Sequence, residues 1–92
     1  MKILTSNETK LEGEWETIDD QIISNEACGR IEWLVSDILD LIKVNRDTWE
    51  KLFQDPKDKR YWLLYYPYSE FHGGGPPSLM EINYEDAMQR LK

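Results

Sequence analysis

His72-Gly73-Gly74-Gly75 is the stretch of this 92-residue chain whose residue types most invite a chemical reading. A loop of that kind can aim backbone N–H groups at a developing oxyanion, with glycines permitting the close approach. A hydrolase built that way also needs a nucleophile on a Gly-x-Ser-x-Gly turn, and the chain has none. It needs a histidine base as well, and His72 is the single histidine. The catalytic reading is therefore set aside, and no catalytic residue is assigned. His72 is expected to hydrogen-bond backbone groups and shape its loop. Gly73, Gly74 and Gly75 supply positive φ or let another backbone approach closely.

Other chemistries fare no better. One His and one Cys, far apart, provide no ligand pair at metal spacing. No acidic segment has the spacing of a calcium loop, and no glycine-rich loop runs into Lys-Ser or Lys-Thr. The expectation is no metal and no cofactor. Cys28 stands near a predicted helix start, where a thiol can be acidified. Without a resolving cysteine it reads as an ordinary semi-buried thiol, and a lone cysteine excludes an intrachain disulfide. That fits a reducing, cytoplasmic location. No apolar run approaches the ~18 residues of a membrane helix, and the first ten residues are too weakly apolar for a signal peptide.

The formal charge is −7. A phosphate-backbone binder wants a basic face, so nucleic acid is not the expected partner. The acidity suits a basic partner, or simple solubility. It is uneven: residues 1–26 carry seven acids and two bases, whereas the remaining residues carry eleven and nine. Aromatic content of 12% and hydrophobic content of 40% argue for a folded globule. One domain over residues 1–92 is expected, and composition sets no oligomeric state.

The elements that must hold these residues follow from periodicity. Asp55-Pro56-Lys57-Asp58-Lys59 is turn chemistry. Tyr61 to Tyr66 is an aromatic and apolar run, hence a strand. Tyr61, Leu63 and Tyr65 face one way and Trp62, Leu64 and Tyr66 the other. Both faces are apolar, which predicts a central strand covered on both sides. Pro67 ends it. Trp49 to Phe53 reads as its partner across the Asp-Pro turn, after a turn at Asn45-Arg46-Asp47. Leu79 to Ile82 reads as a third strand.

Ser24-Asn25 is a capping pair for a helix running to about Lys43, with Ile31, Leu34, Val35, Ile38, Leu41 and Ile42 on one stripe. Asn83 caps a final helix bearing Tyr84, Ala87, Met88 and Leu91. Residues 1–10 read as a short strand or loose arm. Leu11 to Thr17 alternates as a strand, with a turn at Asp19-Asp20 and a return strand at Gln21-Ile22-Ile23. The predicted fold is α+β: a small antiparallel sheet of three to five strands packed against one main helix, with a short C-terminal helix.

Two surfaces are candidates for contact. Glu12, Glu14 and Glu16 would share one strand face, with Asp19 and Asp20 at its end. Trp33 would lie nearly opposite the helix's apolar stripe, at about 100° per residue, beside Asp37 and Asp40. An aromatic residue there is either a partner anchor or covered by a second layer.

The chain also carries Leu11-x-Gly13-x-Trp15, Arg30-Ile31-x-x-Leu34, Trp49, Asp55-Pro56, Asp58, Arg60-Tyr61-Trp62, Tyr66-Pro67 and His72-Gly73-Gly74-Gly75-Pro76-Pro77, in that order. With these, over about residues 11–90, it resembles immunity protein family 27 of bacterial polymorphic toxin systems. The resemblance implies a small cytoplasmic protein that is not an enzyme. Its partner would be a cognate toxin domain, delivered by a contact-dependent or secreted system and neutralised by occlusion. Many such toxins are nucleases with basic clefts, which suits an acidic inhibitor. Trp15, Arg30, Trp49, Trp62, Pro67, His72, Gly73, Gly74, Gly75, Pro76 and Pro77 would then define the fold, while the contact surface varies with the toxin. An acidic adaptor domain unrelated to toxins is the alternative reading.

Overall fold

The computed structural model describes residues 2–67 and 75–91. His72, Gly73 and Gly74 lie outside the described residues. The architecture is α+β, as expected. A five-stranded antiparallel sheet runs in the order β1 (Lys10–Glu12), β7 (Ser78–Ile82), β6 (Tyr61–Tyr65), β5 (Lys51–Gln54), β4 (Asp40–Val44). A separate hairpin pairs β2 (Trp15–Ile18) with β3 (Gln21–Ser24). Helix α1 (Glu26–Trp33) continues into a π-helical turn at Leu34–Ile38, and helix α2 (Tyr84–Arg90) closes the chain.

The aromatic strand β6 is the middle of the sheet and is covered on both sides. Trp62 and Leu64 join Ile31 and Leu34 of the helix side, together with Leu4, Leu39, Phe53 and Leu79, in one buried cluster. Leu63 joins Leu52, Ala87 and Leu91 in a second cluster beneath α2. Strand alternation therefore divides the core into two layers. Asn83 caps α2 by accepting from the Asp86 N–H at 2.8 Å. Glu50 holds the last turn of α2, its Oε2 accepting from Arg90 Nη2 at 2.8 Å and Nε at 3.0 Å.

The helix does not reach Lys43. Leu39 N–H donates to Leu34 O at 2.7 Å, and Leu39 turns extended at ψ 148°. The following residues form β4 against β5, with a bulge between Leu41 and Lys43. Ser36 and Asp37 compete with the helix for backbone hydrogen bonds, and Ile38, Ile42 and Val44 are β-branched residues that fit a sheet. Leu41 and Ile42 thus belong to an edge strand and are exposed. The predicted Leu11–Thr17 strand is also two pieces. It breaks at Gly13-Glu14, so β1 joins the main sheet and β2 leaves it.

Residues 2–9 are an anchored segment, not a loose arm. Leu4 fills the helix-side core. Arg30 donates from Nη1 and Nη2 to the two Glu8 carboxylate oxygens, both at 2.7 Å, and also to Lys2 O and Ile3 O. Arg60 donates to Thr5 O and Glu8 O at 2.8 Å, with its guanidinium carbon 4.9 Å from the Trp62 ring centroid. The bidentate bond from Arg30 holds the Glu8 carboxyl down, from 4.5 to about 2, against the opposing effect of burial. The clasp is thus strongest when Glu8 is ionised. Its stabilisation is fully present above about pH 4.5 and is lost as pH falls toward about 2. Thermal melts across that window should fall for the native chain and change less for Glu8→Gln. Equal slopes in the two proteins would refute the clasp.

Candidate functional site

No strand residue of the acidic hairpin belongs to either core cluster. Its strands pair Trp15 with Ser24, Glu16 with Ile23, Thr17 with Ile22 and Ile18 with Gln21. Paired residues share a face. Trp15, Thr17, Ile22 and Ser24 therefore lie on one side, and Glu16, Ile18, Gln21 and Ile23 on the other. All eight strand residues are exposed. The two-residue turn is Asp19-Asp20, with φ of 51° and 66°. Positive φ at both central positions makes a turn whose twist matches the strands, and Asp tolerates that backbone better than most residues.

The base of the hairpin is fixed. Asn25 N–H donates to Glu14 O at 2.9 Å, and Asn25 Oδ1 accepts from Glu14 N–H and from Cys28 N–H, both at 3.1 Å. One side chain thus caps α1 and closes the hairpin. Cys28 is buried beside it, with Sγ 3.6 Å from Glu14 O.

The acids of the first candidate surface are all exposed, but they do not form one row. Glu12 lies in β1 beside Lys10, whose Nζ is 3.0 Å away. Glu14 sits at the break, Glu16 in β2, and Asp19 and Asp20 at the tip. The residues of the second surface are dispersed. Trp33 ends α1 and is half-buried, packed against the helix-side core. Asp37 lies in the π-helical turn and Asp40 in β4, not on a helix.

Several motif residues have clear places. Arg30 holds the N-terminal segment, Trp62 is in the core, and Pro76 is buried with Gly75 at φ 72°. Pro77 O accepts from Gly13 N–H at 2.9 Å, and exposed Pro67 follows the central strand. Trp15 and Trp49 instead face solvent, Trp49 being 67% exposed with φ 64°. Ile18, Ile22 and Ile23 of the hairpin, and Leu41, Ile42 and Val44 of the β4 edge, are exposed as well. None of these is a contact candidate from the sequence, where Trp15 and Trp49 are expected to define the fold. The signal available was a pair of strands with apolar residues on both faces and no neighbour to cover either.

Among the described residues, no three His, Cys, Asp or Glu side chains group closely enough to hold a metal ion. No helix among them is long and apolar enough to cross a membrane. The family model described as Immunity protein 27 matches residues 17–83. The chain belongs to the immunity protein 27 family. Membership carries toxin immunity and binding of a cognate toxin as its general function, in a family class that is generally non-enzymatic. The match runs from the hairpin to the cap of α2, through every strand of the sheet except β1. No curated protein and no solved structure matches the chain significantly.

Proposed function

We propose that this immunity protein 27 member neutralises its toxin by occlusion, laying the acidic hairpin over a basic substrate cleft such as that of a nuclease. The observation that carries this reading is the charge between Lys10 and Arg30: six carboxylates and no cation. Three of them, Glu16, Asp19 and Asp20, are displayed on the hairpin. Like charges so close repel one another and add nothing to the fold, whereas a cationic cleft converts the repulsion into attraction and speeds encounter. Glu12 contributes less, because Lys10 already offsets it. Trp33, Asp37 and Asp40 are a weaker surface, since they no longer share one face.

The test is the triple variant Glu16→Gln, Asp19→Asn, Asp20→Asn. Asn keeps the tolerance for positive φ at the turn, so the hairpin should persist. Its association with the cognate toxin domain should slow about tenfold at low salt, and the salt dependence should flatten. The melting temperature should stay level or rise. Unchanged association at low salt would exclude the acidic hairpin as the steering surface.

A further inference from the structure

We infer that the β2–β3 hairpin is a two-sided insertion element, entering a cleft of the toxin and gripped on both faces. The inference rests on the toxin-binding reading and specifies its geometry. An antiparallel strand pair that docks flat carries apolar residues on the docking face and polar ones on the other. This hairpin departs from that pattern. Trp15 and Ile22 are 42% and 71% exposed on one face, and Ile18 and Ile23 are 50% and 42% exposed on the other. A partner covering only one face would leave two large apolar side chains in water. A cleft covers all four.

The hairpin is also built to keep its shape before contact. An isolated two-stranded hairpin is marginal in water. Here Asn25 ties the base to α1, and the Asp19-Asp20 turn sets the tip. Preorganisation of this kind lowers the ordering cost of binding. The charges define the occupant. The tip leads with two carboxylates, so the cleft has a cationic floor. The isoleucines and Trp15 follow on the flanks, so its walls are apolar. A second copy of the same hairpin would bring carboxylates against carboxylates, and like-charge contact opposes self-pairing.

The experiment uses the full chain and its cognate toxin domain. Ile22→Ser and Ile18→Ser alter one face each, at exposed positions, so the melting temperature should hold. Each should weaken Kd at least tenfold. A second measurement covers the case in which a variant disturbs the hairpin. Thr17→Cys and Gln21→Cys place one thiol on each face, and maleimide labelling of both should slow more than tenfold in the complex. Loss of affinity and protection on one face alone would mean flat docking and overturn the inference. So would an unaffected affinity with both thiols open, while the native chain still binds. Slow labelling of both faces in the free chain, with dimer formation, would replace the toxin by a second copy. Absence of binding by the native chain would overturn the toxin reading for that partner and the insertion with it.

Discussion

Leu34→Asp should leave the protein without a cooperative thermal transition. Leu34 opens the π-helical turn after α1 and is fully buried, among Leu4, Ile31, Leu39, Phe53, Trp62, Leu64 and Leu79. Removing a buried leucine side chain costs about 2–5 kcal/mol. The new carboxyl then sits among apolar side chains with no cation in the cluster. Whether it stays charged or binds a proton, that placement adds several kcal/mol. Together these reach the whole stability of a typical domain, about 5–15 kcal/mol. Leu34→Met keeps volume and apolarity and should cost less than about 1.5 kcal/mol. Leu41→Asp and Ile42→Asp discriminate further. On a helix running to Lys43 they would be as damaging as Leu34→Asp. On the exposed edge of β4 they should cost about 1 kcal/mol or less. Circular dichroism melts of the four variants decide the matter. Near-native melting of Leu34→Asp would refute the packing.

The same residues show what the sequence could and could not reveal. Strand β6 was legible because its unbroken aromatic and apolar run makes both faces apolar, so a covering layer on each side was required. The Asp19-Asp20 turn and the Asn25 and Asn83 caps were legible because their chemistry is local. The end of the helix was hidden by coincidence of phase. Leu41 and Ile42 fall where a further helical turn would place them, so the stripe continues even though the backbone has become a strand. Pairing with β5 decided the conformation, and that pairing is tertiary.

The anchored N-terminal segment was hidden for another reason. Arg30 and Arg60 reach back 22 and 52 residues to Glu8, and no local pattern announces such a bond. In the candidate surface, the acids were visible as composition. Their division between β1, the break and the hairpin was not, because the alternation passes through Gly13 without interruption.

Gly13→Ala should be strongly destabilising, and its cause is backbone proximity. Gly13 N–H donates to Pro77 O at 2.9 Å where β1 leaves the main sheet. A Cβ at Gly13 would lie far inside contact distance of that same oxygen and 2.8 Å from Cys28 Sγ. Neither distance is tolerable for a carbon atom. The nearer one involves backbone, which cannot rotate away as a side chain can. Relief requires β1 to move from β7, or the hairpin base to move from the N-terminus of α1. Forced shifts of this kind typically cost about 1–3 kcal/mol, occasionally more. The upper end applies here, because the hydrogen bond to Pro77 is strained by the same shift. The double variant Gly13→Ala, Cys28→Ala separates the two contacts. It should recover only a minor part of the loss if the carbonyl dominates. Recovery to the stability of Cys28→Ala alone would place the clash at the thiol instead. The functional consequence follows from position. Gly13 lies where the chain passes from the sheet to the hairpin, so the surviving folded fraction of Gly13→Ala should bind the cognate toxin domain more weakly than native. Titration under conditions where both proteins are fully folded measures this. Equal affinity would show that the hairpin keeps its aim despite the displaced base.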